Sequence, residues 1–191
     1  MVLALAGLGT PAAAGAVDVT DEAAVVAAYN AQSGWTAEVG DLCIVTDPDF
    51  PGVAAVGTAP PDRGCAVELV LVDGQWLAPG AAASPVLLGR GWQDASPETR
   101  AALAMDWVRF AVFPFHGFPT EPGEDFALDG APEFAAPIAL ADAQGGAVVT
   151  AWVREPPGML AQTVYKLWEL TFDAGGKQAR TRVLADYEVN H

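Results

Sequence analysis

Four segments in the last third of the chain are rich in apolar and β-branched residues and follow the two-residue period of strands. They cover Phe134–Asp142, Ala147–Arg154, Gln162–Asp173 and Gln178–Val189. The connections AQGG, EPPGM and AGGK are short and contain Gly or Pro, which suits tight reversals of the chain. The pattern predicts a four-stranded antiparallel meander.

The apolar pattern changes to a helical period over residues 96–113. Ser96 followed by Pro97 is typical of a helix N-cap and first turn, and Pro114 ends the pattern. One side of this helix carries Leu103, Ala104, Trp107, Phe110 and Ala111. We interpret this side as core that packs on one face of the meander, because no other apolar surface is large enough to cover it.

Two shorter helices are predicted nearer the N-terminus. Asp21 opens the pattern DEAAVVAAYNAQSG, with acidic residues in the first turn and Gly34 as a stop. Ser84 and Pro85 predict the start of a second helix, which ends near Arg90.

Strand patterns also lie between these helices. They cover Trp35–Thr46 and Ala66–Val72, and a turn at Asp73-Gly74 leads to a third run, Gln75–Leu77. An Asp-Gly pair between two such runs is a strong hairpin signal. Helices on one face of an antiparallel meander define an α+β fold. At the level of the fold alone, this order resembles NTF2-like and cystatin-like folds, and no motif identifies a family.

Residues 1–16 carry no charged side chain and end in the small residues Ala14-Gly15-Ala16. This resembles a signal-peptidase site, so we expect a secreted, periplasmic or cell-surface protein whose single mature domain covers residues 17–191. The alternative is a buried N-terminal helix or strand. The chain has two cysteines, Cys43 and Cys65, and in an oxidising compartment such a pair is expected to form a disulfide that closes a loop rich in Pro, Gly and Asp.

Composition limits the classes of partner. Hydrophobic residues make up 52% of the 191 residues, against 17% charged residues, which is typical of one folded domain. The formal net charge of −15 would repel a phosphate backbone, so we expect no nucleic-acid partner. The mature chain has no apolar stretch of about 20 residues that could span a membrane.

No sequence motif in the chain specifies a catalytic mechanism, a metal or a cofactor. His116 could act as an acid or base if a carboxylate oriented it, and Asp106, Glu121, Glu124 and Asp125 are the candidates. A structural role for His116 is the more common case. Acidic pairs such as Asp47 and Asp49 could bind calcium weakly, but they lack the spacing of a calcium loop and are more simply solvated surface.

The predicted sheet offers the better candidate for function. Alternation along residues 162–173 places large side chains on both faces, whereas helices cover only one. The candidate contact residues are Trp152, Arg154, Lys166, Trp168 and Arg182. We therefore expect a non-enzymatic binding domain, whose partner is a protein or a small molecule and which acts as a homo-oligomer or as a subunit of an assembly. The alternative is a small hydrolase or isomerase that uses His116 in a pocket between helix and sheet.

Overall fold

The computed structural model describes residues 17–58, 67–114, 136–155 and 163–189. These residues form three α-helices and two antiparallel four-stranded sheets, which confirms the predicted α+β class. The helices are α1 (Glu22–Ser33), α2 (Pro79–Gly89) and α3 (Pro97–Trp107). The first sheet contains β1 (Cys43–Thr46), β2 (Val53–Gly57), β3 (Leu69–Val72) and β4 (Gln75–Leu77). The second contains β5 (Ile138–Ala141), β6 (Ala147–Glu155), β7 (Thr163–Phe172) and β8 (Gln178–Val189).

The first helix begins and ends where its local signals predict. The Asp21 carboxylate accepts hydrogen bonds from the backbone N–H groups of Ala23 and Ala24, at 3.0 and 3.4 Å. At the other end Gly34 has a φ of 72°, a left-handed conformation that glycine adopts without steric cost. These signals act over a few residues, so the sequence alone is sufficient to locate α1.

The predicted start of α2 at Ser84 is wrong. The helix begins at Pro79 and contains Pro85 in its interior. The Ser84 hydroxyl does not cap a helix; it donates a hydrogen bond to the carbonyl oxygen of Gly175, at 2.8 Å, in the turn between β7 and β8. A tertiary contact therefore uses the side chain that the sequence pattern assigned to a local cap.

The first sheet contains a strand that the sequence pattern did not predict. β2 pairs with β1 and β3, and all five of its residues are buried. Ala54 and Val56 pack in one cluster with α1, whereas Val53 and Ala55 pack in the main core with α2 and α3. A strand that is covered on both faces has no alternation of apolar and polar residues, so it lacked the signal on which strand prediction depends. The strand predicted to begin at Trp35 starts only at Cys43, and Trp35 is 66% exposed.

The second sheet confirms the predicted meander, with strand order β5-β6-β7-β8 and antiparallel pairing throughout. The apolar side of α3 packs in one core with this sheet, as predicted, and Trp107 is fully buried there. The same core includes residues of the first sheet, and the Phe50 ring lies 5.9 Å from that of Trp107. A five-residue π-helical segment, Val108–Val112, continues α3 and places Phe110 in the same core. The layers therefore run from α1 through the first sheet and the α2–α3 layer to the second sheet.

An arginine fixes the β5–β6 hairpin against the helices. Arg100 of α3 donates hydrogen bonds to the carbonyl oxygens of Trp92, Gln93 and Gly145, at 2.8, 2.7 and 2.7 Å. Gly145 belongs to the β5–β6 turn, so this side chain joins that turn to the 3₁₀ turn at Trp92–Asp94. The second sheet is held to α3 by these polar contacts as well as by apolar packing.

In the part of the chain that the structure describes, no helix is long and apolar enough to cross a membrane.

Candidate functional site

Strand register decides which of the five candidate contact residues share a face. Directly paired residues of antiparallel strands lie on the same face. Trp168 pairs with Ala151 and Lys166 pairs with Val153, which places both on the face that carries Leu170 of the main core. The Trp168 ring lies 5.7 Å from that of Phe113, next to the core. Trp168 and Lys166 are therefore on the helix side of the sheet.

Trp152, Arg154 and Arg182 lie on the opposite face. Trp152 pairs with Leu167, Arg154 with Tyr165, and Arg182 with Glu169. The structure thus separates the five candidates into two groups, and they do not form one surface. The sequence left this open because the register between strands was unknown.

Trp152 is not an exposed contact residue. It is only 7% exposed and packs in a small cluster with Tyr165, Leu167 and Tyr187 on its own face of the sheet. Burial raises the pKa of the Tyr165 phenol, and the positive charge of Arg154 opposes this rise. Trp152 therefore contributes to the packing of this face rather than to a surface that a partner could reach directly.

We call the side of the second sheet that points away from α3 the outer face. By pairing and alternation it carries Ile138, Leu140, Val148, Thr150, Trp152, Arg154, Tyr165, Leu167, Glu169, Thr171, Arg180, Arg182, Ala185 and Tyr187. The hydrophobic clusters that contain helical residues include none of these side chains. Among the described residues, no helix packs on the outer face.

One edge of the outer face is apolar and exposed. Ile138 and Leu140 on β5 are 49% and 63% exposed, and they pair with Thr150 and Val148 of β6. The sequence pattern placed this strand correctly but did not single out these two residues. Their alternation with Ala139, which packs against the core, is the signal that identifies them.

The opposite part of the outer face is cationic. Arg182 Nε donates to Glu169 Oε1 at 2.6 Å, and this bond lowers the pKa of the Glu169 carboxyl, with a smaller contribution from the charge of Arg180. Arg180 and Arg154 are exposed. The outer face therefore holds three arginines and one glutamate, in a chain whose formal net charge is −15.

A cavity of about 350 Å³ lies at the C-terminal end of α3. Asp47, Asp49, Asp106 and Arg109 all line it. The Asp47 carboxylate accepts the backbone N–H of Asp49, at 2.8 Å, as in many acidic turns. The described ranges contain no group of three or more His, Cys, Asp or Glu side chains placed to hold a metal ion. Among the described residues, no set of ligands therefore converges at Asp47 and Asp49 to support the calcium hypothesis.

Several predictions fall on residues outside the described ranges. They are His116 with Glu121, Glu124 and Asp125, the leader at 1–16, and Cys65. Asp106, the remaining carboxylate candidate for His116, lines the cavity at the end of α3. The hydrolase or isomerase alternative therefore stays a hypothesis. Cys43 is the first residue of β1, and no cysteine of the described residues is a free thiol. The pairing of Cys43 with Cys65 stays a prediction.

A smaller cavity, lined by Phe50 and Arg90, was not predicted. Residues from a turn, a hairpin and a helix form it, so no local pattern points to it.

Comparison of the chain with protein-family models, with curated proteins and with solved structures gives no match. The likeness to NTF2-like and cystatin-like folds is therefore not confirmed.

Proposed function

We propose that the protein is an exported, non-enzymatic binding subunit that docks another protein through the outer face of its second sheet. The observation that carries this proposal is the composition of that face. It combines the exposed apolar pair Ile138 and Leu140 with the arginines Arg180 and Arg182, in a chain that is otherwise strongly acidic.

The physical chemistry of interfaces supports this choice of surface. Arginine is enriched where proteins bind one another, and lysine and acidic residues are depleted. Burying Ile138 and Leu140 would remove apolar area from water, which favours association. The arginines would favour a partner that carries carboxylates and would orient it during the encounter. The complementary partner is therefore a protein surface with apolar side chains beside acidic ones, and a second copy of this acidic chain is one such surface.

Strand geometry sets the size of the contact. Neighbouring strands are about 4.8 Å apart, so the apolar edge on β5 and the arginines on β8 are separated by roughly 14 Å across three intervals. Thr150 of β6 and Glu169 of β7 lie between them. This span suits a folded partner surface better than a single side chain or a small molecule.

Export rests on the small residues before Val17 and on the cysteine pair. We expect the native protein to begin near Val17 and to carry a Cys43–Cys65 disulfide with a Cα–Cα distance of about 4.4–6.8 Å. Intact-mass measurement before and after reduction and alkylation checks both points. Two alkylated thiols without reduction, or a native chain that retains residues 1–16, would contradict this part of the proposal.

Placing positive charge on the apolar edge is expected to abolish association. The double variant Ile138→Lys and Leu140→Lys removes the apolar contact and adds charge where the interface would be dry, and an unpaired charge in such a place is costly. We expect the native protein to sediment as a dimer or a larger complex and the variant to sediment as a monomer, with at least tenfold weaker association. Sedimentation velocity of protein purified from its native source measures this.

The matched control is Val39→Lys. Val39 is 57% exposed but lies before the first sheet, far in sequence from the second sheet, so its variant should associate as the native protein does. Circular dichroism and the melting temperature establish that each variant is folded. A double variant that associates normally would rule out the outer face as the interface, and a native protein that is monomeric at all concentrations would rule out a second copy of the chain as the partner.

A further inference from the structure

A cavity of about 210 Å³ lies apart from the outer face, between the C-terminal part of α2 and the turns next to β2 and β3. Much of its wall is apolar and includes Phe50, Val72 and Val86. Two charged residues, Arg90 and Asp73, also line it. The cavity wall therefore combines one cationic residue, one anionic residue and an apolar part.

The Arg90 side chain is held in place without a carboxylate partner. Its guanidinium carbon lies 4.6 Å from the centroid of the Phe50 ring. That ring is 2% exposed and stacks on Phe110, with ring centroids 4.6 Å apart, so it is a fixed support. Arg90 Nη1 is buried with no hydrogen-bond partner, and no carboxylate of the described residues forms an ion pair with Arg90.

An uncompensated arginine is notable in this chain. The sequence has 24 acidic residues and 9 Lys and Arg, so carboxylates are abundant. A partly buried cation is costly unless it is paired, and the Phe50 ring offsets this cost only in part. A guanidinium that is already fixed loses little entropy when it binds a carboxylate, and its planar N–H groups match the two carboxylate oxygens.

Asp73, a residue of opposite charge, lines the same cavity. It is the first residue of the turn that joins β3 and β4, with a φ of 49°, and Gly74 follows with a φ of 74°. Positive φ at two successive residues is the geometry of the tight hairpin turn, which fixes the position of the Asp73 backbone. Asp73 is exposed and does not pair with Arg90, so the two residues line the cavity without neutralising each other.

We propose that this cavity binds a free α-amino acid with an apolar side chain. The ligand carboxylate accepts hydrogen bonds from Arg90, the ligand ammonium donates to Asp73, and the ligand side chain lies against Pro85 and Val86. The volume would hold about seven water molecules at roughly 30 Å³ each, which is enough space for a small ligand. A zwitterion carries no net charge, so the negative field of the protein does not oppose its entry.

Isothermal titration of the full chain with L-leucine tests the proposal. Two comparators each lack one charged group: 4-methylpentanoate has no ammonium, and 3-methylbutylamine has no carboxylate. We expect leucine to bind and each comparator to bind at least tenfold more weakly, because a polar wall group then loses its partner. If leucine gives no heat at millimolar concentration, or if 4-methylpentanoate binds as tightly as leucine, the proposal is wrong.

Substitutions in the cavity test whether Arg90 and Asp73 bind the two charged groups of the ligand. Arg90→Gln and Asp73→Asn are each expected to weaken leucine binding at least tenfold; asparagine tolerates the positive φ of position 73, so the turn is kept. Lys177→Gln is the control, since it removes an exposed cation of the β7–β8 turn and should leave the affinity unchanged. If Arg90→Gln does not fold, Arg90→Lys keeps the charge without the planar fork and should still weaken binding. Native affinity in a folded Arg90→Gln variant would overturn the assignment. None of these results depends on the outer face.

Discussion

Replacing Trp107 with alanine is expected to lower the free energy of unfolding by about 3–5 kcal/mol, as the loss of a buried aromatic side chain does. Trp107 is fully buried at the centre of the main core, and its ring contacts those of Phe50 and Phe110 at centroid distances of 5.9 Å. Its Nε1 has no hydrogen-bond partner, so the cost is one of lost packing and a cavity. Urea denaturation followed by circular dichroism measures this change, with the midpoint falling and the slope staying constant.

Trp35→Ala is the matched control for this prediction. Trp35 is 66% exposed, and the same substitution there should change the free energy of unfolding by no more than about 0.5 kcal/mol. If Trp107→Ala leaves the melting temperature unchanged, α3 does not cover the second sheet. The side assigned as the outer face would then be the wrong one, so this result also bears on the proposed interface.

Replacing Gly146 with alanine is expected to destabilise the fold by about 3 kcal/mol, at the upper end of the usual cost of overpacking. An ideal Cβ at this position would lie 2.0 Å from the carbonyl oxygen of Phe172, and it would also meet the carbonyl carbon at 3.0 Å. Backbone atoms cannot move aside as a flexible side chain can. The Phe172 side chain is fully buried in the main core, so a shift of its backbone would disturb that core as well.

The control for this substitution is Gly89→Ala. A Cβ at Gly89, the last residue of α2, meets no atom within 4 Å. Alanine is favoured over glycine in a helix, so this variant should be neutral or more stable by up to about 1 kcal/mol. Thermal unfolding of both variants checks the contrast. Equal melting temperatures for the two would contradict the close approach of Gly146 to the end of β7.

The second sheet and two of the helices could be predicted from the sequence because their signals are local. Asp21 and Gly34 set the two ends of α1, through hydrogen bonds and a backbone angle that involve only neighbouring residues. Ser96 and Pro97 do the same for the start of α3. The strands of the second sheet alternate, and their short turns leave antiparallel pairing as the simple solution.

The candidate site depended on facts that no local pattern contains. The split of Trp152 and Trp168 between two faces follows from the pairing of Ala151 with Trp168, and a shift of one residue in register would have exchanged the faces. The burial of Trp152 depends on Tyr165 of the neighbouring strand. Such contacts exist only once the strands have met.

Periodicity, caps and turn residues act within a few positions, and they were enough to predict the α+β class, the meander and the side of α3 that forms core. Long-range contacts were needed to show that β2 is a strand, that Ser84 bonds to Gly175, and that Arg90, Phe50 and Asp73 line one cavity. The physical reason is the range of the interactions. A strand that is covered on both faces has no alternation of apolar and polar residues. A side chain that bonds to a residue 91 positions away is not marked by the sequence around it.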